Sequence, residues 1–167
     1  MILQEDIIIE ATENAGTLHD KLMAIGSELV LKTVKLIENE DVTTTPQIDT
    51  DGIKTAYKLN RDNCKVDWNN PIDDIYNMIR GLSPYPAAWS TFINGDEHLD
   101  VKIYKAEKEI EAHTNTIGAI ISTKKSLKVS VKGGYINVLE IKLPGKKTMD
   151  IKSLLNGYHF ESHAKAL

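Results

Sequence analysis

Ile79-Arg80-Gly81-Leu82-Ser83-Pro84-Tyr85-Pro86-Ala87-Ala88-Trp89 is the stretch on which the fold turns. Upstream of it, Ile72, Ile75, Tyr76, Ile79 and Leu82 recur at helical spacing, so a short amphipathic helix runs into it. Pro84 stops that helix, because proline disfavours the α region at Ser83 and has no N–H to continue the ladder. Pro86 is expected to hold the chain extended, and Trp89 opens a run that reads as a strand. The segment is thus a helix stop, a rigid corner and a strand start. Taken alone it is a structural junction without chemistry.

Downstream the pattern switches to period two. Trp89–Asn94 is strand-like, and Asn94-Gly95 signals a hairpin. Leu99, Val101 and Ile103 alternate with Asp100, Lys102 and Tyr104, and Thr116–Ser122 is a short, mostly apolar run. Leu127, Val129 and Val131 alternate with Lys128, Ser130 and Lys132, which predicts that Lys128 and Lys132 point outward together. Gly133-Gly134 makes the next turn, and Tyr135–Leu143 is the last long strand. About five short strands joined by turns predict a small barrel or sandwich. A final short helix is expected over Asp150–Asn156, with Gly157 as its stop.

Upstream, Ile2–Ile9 is a β-prone run that needs a sheet to join, and Ala11–Gly16 reads as a loop. Thr17, with Asp20 three residues on, resembles a capping box. Leu18, Leu22, Ile25, Leu29 and Leu36 form one apolar stripe, so a helix of about 20 residues follows. Residues 39–63 read as a polar linker, with Thr43-Thr44-Thr45-Pro46 and Asp49-Thr50-Asp51-Gly52 as turn-formers and a short strand near Thr55–Lys58. Pro71 sits at the start of the helix before the junction.

Length and composition narrow the function classes. At 167 residues the chain fits one domain or two small ones, and 41% hydrophobic residues suffice for a core. No apolar run is long enough to span a membrane, and the N-terminus lacks the basic and apolar regions of a signal peptide. Cys64 is the single cysteine, which excludes an intramolecular disulfide and a cysteine-cluster metal site; it is expected as a partly buried small hydrophobe in a reducing cytosol. None of the five histidines stands at HExxH spacing, so no metal site is expected, and His159 and His163 are expected in solvent. Asp73 and Asp74 in a first helical turn favour the helix dipole. There is no GxGxxG, Walker or GxSxG motif, and Gly133-Gly134 precedes no helix that could cradle a phosphate.

The net charge of −4 hides an asymmetry. Residues 1–83 carry 8 Lys/Arg against 15 Asp/Glu, whereas residues 113–160 carry 8 Lys against only Glu140 and Asp150. A basic half beside an acidic half fits a polyanion partner, and five strands beside nucleic acid fit an OB-like barrel. A solvated lysine face remains the bland alternative.

Three stretches carry a family resemblance. Asp67-Trp68 followed by the Ile79–Trp89 segment resembles the entry to the C-terminal domain of methionyl-tRNA formyltransferases. Leu18-His19-Asp20-Lys21-Leu22, with Gly26 and Leu29, is similar to that family's helix beyond the last motif of its catalytic domain. Leu143-Pro144-Gly145-Lys146-Lys147, with Met149, Leu154, Leu155, Asn156 and Gly157, is similar to its C-terminal signature. The motifs stand in family order and cover nearly the whole chain.

The resemblance implies an α+β chain. Residues 1–40 would be a strand-helix remnant ending the catalytic domain, 41–70 a linker, and 71–167 a small OB-like, tRNA-binding β-barrel with short helices. It implies that the family's Rossmann-like half supplies an Asn, a His within His-x-Ser-Leu-Leu-Pro, and an Asp. Those motifs are absent here, and His19 stands in another context. The chain is therefore expected to hold no catalytic residue, metal or cofactor and to be inactive alone. Formyltetrahydrofolate would be the co-substrate of the whole enzyme, which formylates initiator methionyl-tRNA in translation initiation in the cytoplasm. The implied partners are that tRNA and the N-terminal catalytic domain, with self-association through residues 2–38 and no membrane. Phosphate contacts would fall to Lys102, Lys124, Lys125, Lys128, Lys132, Lys146 and Lys147. Arg80 would serve as an RNA contact or a structural ion pair. Two other readings stay open: the appended barrel of another folate-dependent formyltransferase or hydrolase, and a non-catalytic interaction domain. The lysine balance after residue 113 and the Leu143–Met149 signature favour the tRNA enzyme.

Overall fold

The computed structural model describes residues 1–47 and 52–167, which divide into two compact units, 1–58 and 59–167. The expected turn at Asp49-Thr50-Asp51 lies outside the described residues.

The first unit is built on one helix, α1 (Ala15–Glu38). Its cap is Asn14 rather than Thr17. The Asn14 side chain accepts from the Thr17 N–H at 2.9 Å, and Thr17 Oγ1 accepts the Asn14 N–H at 3.1 Å. Thr17 is thus the third helical residue of a capping box begun by a stronger N-cap type. No residue of α1 is buried, and Leu22, Met23, Val30, Leu31, Val34 and Ile37 are exposed. Residues 2–9 are not a strand, nor are 55–58. An isolated strand leaves its backbone groups unpaired, and the described residues of this unit offer no sheet edge for either run to join.

The second unit starts earlier than Pro71. A 3-10 turn (Asp62–Cys64) leads into residues 65–68, which run beside the strand at Trp89, and Val66 N–H donates to Trp89 O at 2.8 Å. Cys64, Val66 and Trp68 are buried in the core. Helix α2 (Ile72–Leu82) buries Ile72, Ile75, Ile79 and Leu82 and packs on the sheet. It stops at Leu82, one residue before the Ser83–Pro84 bond. The corner beyond is not extended. Ser83–Pro84 and Tyr85–Pro86 are both cis, Ala87 has a φ of 70°, and the Ala87 N–H returns to Leu82 O at 2.8 Å. Residues 83–87 are therefore a tight turn.

The strands that follow are β1 (Ala88–Asn94), β2 (Glu97–Glu109), β3 (Ile120–Ser122), β4 (Leu127–Val131), β5 (Gly134–Lys142), β6 (Met149–Asp150) and β7 (Lys165–Ala166), with helix α3 (Ile151–Leu155) between the last two. All pairings are antiparallel, in the order β3-β4-β5-β2-β1-β7, with β6 also on β5. The two ends of this sheet meet. Ile120 N–H donates to Ala164 O at 2.9 Å, and Ala166 N–H donates to Gly118 O at 2.8 Å. The sheet closes into an OB-like barrel that abolishes its own edges. Register shifts in β2 around Lys105 supply local curvature. Gly118, at the seam, has a φ of 83°, and a Cβ there would lie 2.6 Å from Ala166 O.

Phe92, Val101, Ile103, Leu127, Val129, Ile136, Val138 and Ile141 fill the interior. The chain after Gly157 is no loose tail: Phe160 packs edge-on against Phe92 at 6.2 Å, and Ala164 and Ala166 are buried. Trp68 Nε1–H donates to Ser90 Oγ at 2.8 Å, and Ser90 Oγ–H donates to Leu167 O at 3.0 Å, tying both ends of the unit to β1.

Candidate nucleic-acid interface

Register builds the site. Ala88 faces Ile103 across β1–β2, and Ile103 faces Ile141 across β2–β5; all three are buried. The next row, Trp89–Lys102–Lys142, must then lie on the outer face, because successive residues alternate sides. It sets two exposed lysines at directly opposed positions on neighbouring strands. Like charges at opposed positions do not stabilise a strand pair, whereas the neighbouring pair, Lys105 and Glu140, is of opposite sign.

Trp89 extends the row. The Arg61 guanidinium sits 4.0 Å from the indole centroid and Lys65 Nζ sits 5.6 Å away. Trp89 Nε1–H donates to Arg61 O at 2.6 Å. Arg61 is also paired with Asp100 at 2.5 Å. The hydrogen bond from the Thr91 hydroxyl, with the Arg61 hydrogen bond and charge behind it, holds the Asp100 carboxyl below its ordinary value. Lys102 Nζ donates to Pro86 O at 3.0 Å, which links the row to the double-proline turn. A cleft of about 450 Å³ opens beside the row, lined by Leu59, Arg61, Tyr85, Pro86, Trp89 and Lys102 among others.

The other expected lysines are distributed over the barrel. Lys124 and Lys125 are exposed in the β3–β4 turn, and Lys125 lines a shallow groove of about 220 Å³ together with Lys152 and Asp150. Lys146 and Lys147 are exposed in the β5–β6 turn. Lys132 is exposed beyond β4, where it bridges to Pro71. Arg80 donates from Nε to Asn77 Oδ1 at 2.8 Å, with its guanidinium 5.9 Å from the Tyr76 ring.

Lys128 and Lys132 do not share an open face. Ser130 between them is fully buried, because its hydroxyl donates to Thr116 O at 2.6 Å and residues 116–119 cover that side of β4. Lys128 is engaged as well: Nζ lies 2.6 Å from Glu109, 3.7 Å from Glu111 and 4.0 Å from the Tyr135 ring. The hydrogen bond between Glu109 and Lys128 lowers the carboxyl and raises the amine. Alternation along a single strand cannot report a covering segment. Arg61, Lys65 and Lys142 were missed by sequence reading. The first two stood in the presumed linker, and Lys142 acquires meaning only from its register with Lys102.

A closed antiparallel barrel bearing a basic, aromatic outer row defines an OB-like module. Its fold is also seen in crystal structures of HypX variants from Aquifex aeolicus; the first aligns at 18% identity and a TM-score of 0.54, covering 78% of this chain and 23% of that one, and the second has a TM-score of 0.53. Residues 58–159 match the family model described as formyl transferase, C-terminal domain, and the chain belongs to that family. Among curated relatives, the methionyl-tRNA formyltransferase of Flavobacterium johnsoniae is 53% identical over 99% of this chain and 52% of its own length. That of Bacteroides thetaiotaomicron is 39% identical over 99% of this chain and 53% of its own length. The chain spans about half the length of the curated relatives it matches.

Proposed function

We propose that this chain is the tRNA-holding portion of a methionyl-tRNA formyltransferase. Residues 1–40 end the catalytic domain and 41–58 connect it to the barrel. The observation that carries this reading is the register that puts Lys102 opposite Lys142 on the outer face of β2 and β5, in one row with Trp89, whose ring holds Arg61 and Lys65. Phosphate oxygens of the initiator methionyl-tRNA lie against this row of cations. Lys124, Lys125, Lys132, Lys146 and Lys147 widen the basic surface, and Arg80 extends it at the end of α2. Such contacts position the tRNA without reading its bases. Lys128, already paired with Glu109, contributes to the fold more than to the tRNA. Formyl transfer from formyltetrahydrofolate belongs to an N-terminal catalytic domain in the cytoplasm, and that domain covers the apolar face of α1. Without it, residues 2–38 self-associate.

Initiator tRNA binding followed by fluorescence anisotropy across a salt series tests the reading. A slope of log affinity against log salt of about −3 to −5 is expected, at roughly 0.7–0.9 per neutralised phosphate. Lys102→Glu with Lys142→Glu should abolish binding, while Lys32→Glu with Lys35→Glu on α1 reverses as much charge and should have little effect. Equal losses from both pairs would reduce the interaction to non-specific charge and reject the interface.

A further inference from the structure

Resting on the reading of this chain as an RNA binder, we infer that the cleft beside the basic row takes one unstacked nucleotide, its base on the Tyr85 ring and its phosphate on Arg61 and Lys102. Tyr85 is 85% exposed, the most exposed of the barrel unit's large hydrophobic side chains. It lies between Pro84 and Pro86 in a turn closed by the Ala87 N–H to Leu82 O bond, where the following proline narrows its backbone range while its ring stays bare. Leu59, 46% exposed, adds apolar surface to the lining. The rim is cationic: Arg61 and Lys102 line the cleft, and Lys142 stands directly across from Lys102. Asp100, the one carboxylate among the lining residues, is already held by Arg61 and the Thr91 hydroxyl.

An apolar, aromatic wall and a cationic rim match a nucleotide, whose base has two apolar faces and whose phosphate is anionic. The volume, about 450 Å³, lies within the roughly 300–1,000 Å³ of small-ligand sites. A base inside a duplex has both faces covered by its neighbours, so the occupant comes from a loop, a bulge or a single-stranded end. The lysine row contacts phosphates of paired and unpaired RNA alike, and the cleft adds selectivity for unpaired nucleotides.

The test compares an eight-nucleotide oligoadenylate with a blunt RNA duplex, both binding the full chain, by fluorescence anisotropy. Tyr85→Ala should weaken oligoadenylate binding about tenfold, in line with the loss of one stacked base, and leave duplex binding unchanged. Tyr85→Phe, which keeps the ring, should bind within about twofold of the parent. The side chain is exposed, so circular dichroism should be identical in all three proteins. Unchanged oligoadenylate binding in Tyr85→Ala, or an equal loss on the duplex, would overturn the inference. If that happens while Lys102→Glu with Lys142→Glu still abolishes tRNA binding, the nucleotide cleft fails and the tRNA-holding role stands. If the charge reversal leaves tRNA binding intact while the Tyr85 effect holds, the role fails and the cleft stands.

Discussion

Lys128 shows how one side chain changes meaning once its neighbours are known. On the strand pattern it is an outward cation; in the fold it is a strut between Glu109, Glu111 and the Tyr135 ring. Glu109 has a folded pKa below its unfolded one, so its contribution is complete above the unfolded value and is lost as pH falls through the folded value. Lys128 has a raised folded pKa, so its contribution is complete below its unfolded value and fades only as pH rises through the folded one. The pair is therefore intact at neutral pH and breaks in acid. Lys128→Met should lower stability by no more than about 1 kcal/mol, since both groups are partly exposed. The difference from the parent in urea midpoint should be present at neutral pH and vanish in acid, below the carboxylate range. A difference that persisted there would assign the effect to packing against Tyr135 and not to charge.

At the scale of elements, the seam and α1 are opposites. Barrel closure depends on a few bonds between Gly118–Ile120 and Ala164–Ala166, made possible by a glycine with positive φ. Gly118→Ala adds a strained backbone and a collision with Ala166 O, and should cost at least about 2 kcal/mol in chemical denaturation. A neutral result would mean that the seam opens without consequence. Helix α1 has a good cap and a 24-residue length, but Leu18, Ile25, Leu29 and Leu36 are only partly buried, and helices with little tertiary packing are marginal. Hydrogen exchange should be fast over residues 2–38, or slowed in proportion to protein concentration as exposed apolar surfaces meet. Slow exchange at high dilution, matching the barrel, would contradict this. The same elements mark the reach of pattern reading: α2 and the long strands were legible because each carries its own period, whereas β6 and β7, at two residues each, carry none.

For the molecule as a whole, the prediction is an absence of turnover. The chain should not formylate methionyl-tRNA with formyltetrahydrofolate, since it contains no His-x-Ser-Leu-Leu-Pro motif. Product above a protein-free blank, lost on substitution of any residue of this chain, would overturn that expectation. The sequence by itself determined the family, the helix stop and strand start on either side of the double-proline corner, the hairpin at Asn94-Gly95 and the basic bias of the second half, because each of these is written in residues close together along the chain. Only the tertiary structure decided that residues 59–70 belong to the barrel, that Pro86 lies in a tight turn and that Lys128 is paired. It alone decided that Lys102 meets Lys142 beside Trp89 and Arg61. Those facts depend on which strands lie side by side and in what register, and register between segments tens of residues apart is set by closing the barrel around its core, not by any local pattern of side chains.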